Sequence, residues 1–219
     1  TAGDNTAVGF GALAANTTGS SNTVVGAHSG DAVTTGTNNT FVGNNSGGAT
    51  TTGGSNTAMG NLALVSNTTA AGNTALGVNA MYANTTGANN TGLGYLALDA
   101  NTTGASNTAV GINCLTANTT AGNNTAIGNM ALGANTTGAT NVAVGALALD
   151  ANTTGGSNTS VGQSSLSANT TASYNTALGH QAGMTVTTGA GNVYVGNAAG
   201  AYCTTGANNV IIGHIAGDA

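Results

Sequence analysis

The sequence predicts an all-β fold, a parallel β-solenoid of 17 residues per coil and about 13 coils, with two short strands in each coil. The first observation behind it is an asparagine that recurs every seventeen residues without insertion or deletion, at Asn5, Asn22, Asn39, Asn56, Asn73, Asn90, Asn107, Asn124, Asn141, Asn158, Asn175, Asn192 and Asn209. A period this strict marks a quasi-one-dimensional array whose units pack on their neighbours. The second appears when slots are counted from that Asn: slot 5 is Gly in every unit, from Gly9 to Gly213, and slot 4 is always aliphatic or Met, from Val8 to Ile212. The third is that slots 13 and 14 are Thr-Thr in every complete unit, from Thr17-Thr18 to Thr204-Thr205, while slot 8 is always small. Side chains that keep one size at one slot are what stacked coils require.

Slots 1 to 5 read Asn, Thr or Val, variable, aliphatic, Gly, an alternation of period two that predicts the first strand. Slots 2 and 4 are expected to face inward and the variable slot 3, which ranges over Ala7, Phe41, Gly92, Ser160 and Tyr194, to face outward. Gly at slot 5 then turns the chain out of the strand. A helix over the next segment is disfavoured, because seventeen residues cannot hold two strands, their corners and a helix. The ANTTG segment is read as the second strand, with slot 13 inward and slots 12 and 14 outward, or the reverse. At about 4.8 Å per coil the stack would extend on the order of 60 Å. The Asn of slot 1 can pass amide hydrogen bonds from coil to coil as a structural ladder.

One subtype stands apart. Where slot 9 is Gly (Gly30, Gly47, Gly183, Gly200), slot 12 is Val33, Thr50, Val186 or Cys203, whereas other complete units pair Leu or Met with Asn. The coupled change predicts contact between the two slots or a second corner conformation.

No composition shift or linker interrupts the register, so residues 1–219 are expected to form a single β-solenoid domain. The chain contains no Lys, Arg, Glu, Pro or Trp, and its acids are Asp4, Asp31, Asp99, Asp150 and Asp218. Nucleic-acid binding needs cations to displace phosphate counterions, and anionic membranes need them too, so neither class of partner is expected. No stretch approaches the roughly eighteen consecutive apolar residues of a membrane helix, and no basic-then-apolar leader is present. The first residue is Thr1 rather than Met, which suggests a processed product or an excerpt.

The string NTAVGxxAL, as in Asn107, Thr108, Val110, Gly111 and Cys114, resembles the head repeats of trimeric autotransporter adhesins and is similar to the NTAxGxxAL/NTTG repeat arrays of phage tail-fibre and bacterial surface-fibre proteins. The resemblance spans the whole chain. It implies a β-roll, a left-handed winding, trimerisation and an extracellular, cell-surface or virion location. The seventeen-residue coil departs from the shorter adhesin repeat through its ANTTG half.

Little in the sequence points to chemistry. His28, His180 and His214 fall in coils 2, 11 and 13, and four of the five Asp residues share slot 10 but lie three or four coils apart. The Gly-x-Gly around Phe10 lacks a strand-to-helix phosphate context. Cys114 and Cys203, five coils apart, are about 25 Å from one another by the strand spacing and should be unpaired. No nucleophile, base and orienting group converge, so no enzyme activity, cofactor or metal site is expected. Asn16, Asn67, Asn84, Asn101, Asn118, Asn135, Asn152 and Asn169 each open an Asn-Thr-Thr acceptor pattern for N-linked sugar, or are simply ladder residues.

The function expected from these features is a non-enzymatic structural fibre repeat, a rigid rod or filament of a tail fibre, adhesin stalk or surface fibril. Its partners would be itself, through end-to-end stacking or a homo-oligomer such as a trimer, and a glycan or host surface reached through a tip absent from this sequence. The end coils repeat the middle pattern without caps, so either the natural chain continues or subunits join at their ends. The alternative is an ice-binding β-solenoid that displays outward Asn and Thr at slots 12 and 14. Leu62, Leu96, Met130, Leu147 and Ile215, all in slot 7, either line an interchain seam or lie on the coil's own corner.

Overall fold

The computed structural model describes residues 2–217. Thirteen strands of three residues, one per coil, follow in order: β1 (Thr6–Val8), β2 (Thr23–Val25), β3 (Thr40–Val42), β4 (Thr57–Met59), β5 (Thr74–Leu76), β6 (Thr91–Leu93), β7 (Thr108–Val110), β8 (Thr125–Ile127), β9 (Val142–Val144), β10 (Thr159–Val161), β11 (Thr176–Leu178), β12 (Val193–Val195) and β13 (Val210–Ile212). No helix occurs among the described residues. Contacts group the chain into two units, Thr1–Asn107 with β1 to β6 and Thr108–Ala219 with β7 to β13. Within each unit consecutive strands pair in parallel with equivalent slots opposite, as Thr40 with Thr57 and Val161 with Leu178. The chain is the parallel β-solenoid its period predicts.

The second strand is not formed. The strands account for slots 2 to 4 alone, and the ANTTG backbone runs as bends. Those bends bond from coil to coil in another way. The Thr34 carbonyl accepts the amides of Thr17, Thr18 and Gly19 at 2.9, 3.1 and 3.3 Å, and the Thr17 hydroxyl at 2.9 Å. Three successive amides converging on one carbonyl need a curved backbone, which an extended strand cannot supply.

The strand faces are the reverse of the expectation. Slot 3 is buried in coils 2 to 12, with Val24, Phe41, Ala58, Ala109 and Tyr194 all at 0% exposure, while its slot 4 neighbours Val25, Met59, Leu76 and Ile127 stay 37–42% exposed. Slots 1, 8, 9, 12 and 15 complete the interior. The expectation rested on the near-isosteric Thr and Val of slot 2 and on the variety of slot 3. The narrow coil instead seats Ala at slot 3 and fills from the opposite wall with Leu64, Leu98, Leu115, Leu132, Leu149 and Leu166 of slot 9.

The variety at slot 3 is compensated across the interior. A Cβ added to Gly47 would lie 2.7 Å from the Phe41 ring, and one added to Gly200 would lie 2.4 Å from the Tyr194 ring. A Cβ added to Gly30 or Gly183, in the preceding coils, would lie 2.9 or 2.8 Å from the same two rings. Each aromatic ring therefore occupies the room that two slot 9 leucines vacate, which accounts for the Gly subtype through slot 3, a partner the sequence pattern did not suggest.

The corner after the strand depends on Gly at slot 5. At Gly111 φ is 141°, and a Cβ would come within 2.4 Å of the Gly128 carbonyl oxygen in the next coil. Both conformation and close approach exclude a side chain there. Slots 7 and 9 then adopt left-handed backbone even as Leu, at Leu62 (57°) and Leu64 (55°) for example. A left-handed Leu costs about 1 kcal/mol or more, which the surrounding intercoil bonds must offset. The slot 7 residues Leu62, Leu96, Met130, Leu147 and Ile215 share this left-handed backbone at the corner.

Candidate functional site

The slot 1 asparagines form a buried ladder within each unit. The Asn39 amide N–H donates to Asn22 Oδ1 at 3.0 Å and the Asn56 N–H to Asn39 Oδ1 at 3.0 Å, while Asn39 Nδ2 donates to the Gly53 carbonyl at 2.9 Å. The same arrangement joins Asn141, Asn158, Asn175, Asn192 and Asn209 in the second unit. Asn73 keeps the Oδ1 links on both sides, and its Nδ2 finds no acceptor. A primary amide suits this position because it offers a donor and an acceptor in one plane.

A second ladder runs through slot 12, where the sequence expectation of an outward Asn fails. Asn67, Asn84, Asn101, Asn118, Asn135, Asn152 and Asn169 are fully buried, and Asn16 is partly so. Asn152 Nδ2 donates to Asn135 Oδ1 at 2.8 Å and to the Gly155 carbonyl at 2.9 Å. Val33 and Val186 stand where the next donor would be, and Asn16 Oδ1 and Asn169 Oδ1 have no partner; Asn67 Oδ1 also has none, while Asn67 Nδ2 donates to the Thr50 hydroxyl at 3.3 Å. The Nδ2 atoms of these Asn-Thr-Thr positions, to which an N-linked sugar would be joined, are the donors of these intercoil and turn bonds.

The other singled-out side chains are scattered. His28 Nδ1 lies 3.6 Å from Asp31 Oδ2, and its ring meets Phe10 edge-on at 5.2 Å; His180 Nδ1 lies 3.1 Å from Asn197 Nδ2. Asp218 lies outside the described residues. Among the described residues no group of three or more His, Cys, Asp or Glu could hold a metal ion, and no cavity or cleft opens. Cys114 and Cys203 are free thiols. Burial pushes the Cys114 thiol up to about 12, so no thiolate forms at neutral pH. Burial, with Cys203 nearby, holds the Tyr194 phenol at about 12. Asp99 and Asp150 are raised by burial against the pull of backbone amides, and each keeps one buried carboxyl oxygen unpartnered.

What remains is surface. The outer face of the sheet carries Thr or Val at slot 2 beside an aliphatic file at slot 4, and the ANTTG side carries an exposed Thr at slot 14 in every complete coil. The exposed slot 4 file departs from the expectation, since the Thr and Val of slot 2 suit a tight interior and the variety of slot 3 suits a surface; the small Ala common at slot 3 was the available signal. Comparison with protein-family models, curated proteins and solved structures finds no match to this chain.

Proposed function

We propose that the chain is a non-enzymatic structural repeat of an extracellular fibre, a tail fibre, adhesin stalk or surface fibril, in which stacked coils supply length and stiffness. The observation that carries this reading is where the polar groups point. Both asparagine ladders, the Thr17-type hydroxyls and the backbone around the whole perimeter bond to the next coil, so the chemistry of the repeat is directed along the stack. The ice-lattice reading retains the slot 14 threonines but loses its Asn file, since slot 12 faces inward.

The test is particle length against coil number. Electron microscopy or small-angle scattering of the protein with two further coils added should lengthen the particle by about 4.8 Å per coil at constant width. Growth in all dimensions, or a compact outline, would overturn the fibre reading.

A further inference from the structure

We propose that the outer face of the β-sheet is a self-association surface that takes a second copy of this chain, sheet against sheet. It gives the proposed fibre its lateral contact and rests on that reading. Strand sequence places the surface: with Ala or an aromatic turned inward at slot 3, slots 2 and 4 must point out, and slot 4 is aliphatic or Met in every coil. Well inside the array, Met59, Leu76, Leu93, Ile127 and Leu178 remain 38–50% exposed. Slot 6 widens the file locally at Val78, Tyr95 and Ile112, at 44–52%, and is polar at Asn44, Asn61, Asn129, Gln163 and Asn197. The acids stand elsewhere, in slot 10 and, for Asp4, slot 17, so the face carries no carboxylate.

Three arguments select the occupant. Soluble monomers rarely leave a contiguous apolar patch beyond a few hundred Å² uncovered. Slots 2, 4 and 6 give the first unit an outward face six coils long, and one partner contributes about 800 Å² to a stable interface. The spacing is decisive: the file repeats once per coil in strict register, and only a surface with the same repeat can match it beyond a coil or two. A second copy has that repeat and the same lack of charge. Two such faces about 10 Å apart would interdigitate Val, Leu, Met and Ile between threonines as packed sheets do. The uneven lengths of Met59, Leu76 and Val25 suit interlocking side chains and disfavour a regular water lattice.

Light scattering on the full chain tests the surface. The wild type should have twice the 20.5 kDa chain mass at micromolar concentration. Leu76→Lys with Leu178→Lys should weaken association at least tenfold with the circular-dichroism spectrum unchanged. Thr69→Lys with Thr171→Lys, at exposed slot 14, should remain dimeric. A wild-type monomer at a hundred micromolar, a trimer, or dissociation by the slot 14 pair instead of the slot 4 pair would overturn the proposal. A monomer that shapes ice crystals would also overturn it, and loss of ice shaping in the slot 4 pair or in the slot 14 pair would say which face meets ice. Single slender particles would remove the dimer and leave the fibre reading standing, whereas dimers of compact outline would remove the fibre reading.

Discussion

Asn141 is buried in the second unit, donates Nδ2 to the Gly155 carbonyl at 2.9 Å and accepts the Asn158 amide at Oδ1, also at 2.9 Å. Replacing it with Ala removes one net bond's worth of stabilisation and, more seriously, strands the Asn158 N–H away from water, while the Gly155 carbonyl keeps Asn152 Nδ2 as a donor. A stranded group costs about 1–3 kcal/mol and a lost bond about 1 kcal/mol, so Asn141→Ala should destabilise by about 3 kcal/mol in urea denaturation. A loss below about 1 kcal/mol would mean water reaches the ladder. The sequence showed slot 1 as a ladder candidate through its invariance. It left slot 12 ambiguous, because Asn-Thr-Thr reads equally as a surface sequon, and only the inward turn of Asn67 or Asn152 distinguishes the two. Intact mass should therefore equal that of the bare polypeptide whatever host makes the protein, and added hexose or hexosamine mass would contradict the buried ladder.

At the scale of one coil, the interior is a fixed volume shared by slots 3 and 9. Phe41 fills it in coil 3, with Gly47 opposite; Leu64 fills it in coil 4, with Ala58 opposite. Gly47→Leu alone should collide with the Phe41 ring and cost several kcal/mol, in the range of overpacked cores. Phe41→Ala alone leaves a cavity worth about 3–5 kcal/mol. Combined, they recreate the commoner coil, so thermal denaturation should give a double-mutant coupling above about 1 kcal/mol. Additive losses would mean that the two slots do not share space. The period and parallel stacking were legible because every coil repeats them, but the faces were not: an alternating strand specifies two faces without saying which is inside. Large aliphatics at slot 4 argue for inward by transfer energy, yet slot 3 takes the interior position and leaves Val25, Met59 and Leu76 outside. The missing second strand has a similar cause, since Thr-Thr scores as strand by propensity while its amides converge on a single carbonyl.

For the whole molecule, charge decides the response to pH. The protein lacks Lys and Arg, and His28 with Asp31 is the ion pair among its described residues, so acid has few native attractions to remove. Asp99 and Asp150 are raised above their ordinary 3.8 by burial, so the folded state binds their protons more tightly than the unfolded chain does. Their contribution to stability is complete below 3.8 and is lost as pH rises through their folded values. The midpoint of thermal unfolding should accordingly be at least as high at pH 3 as at pH 7, and a clear fall at pH 3 would point to carboxylates stabilised by the fold. The central claim remains that each coil is an interchangeable unit held in register by its neighbours. Excising residues 124–140, one full period in the second unit, tests it most directly against excising residues 124–131. If the coils are stacked repeats, the first deletion keeps the spectrum of the parent and moves the unfolding midpoint by a few degrees, as removal of one nearest-neighbour unit should, while the shorter deletion unfolds the chain. Equal damage from both, or greater damage from the full period, would contradict the account.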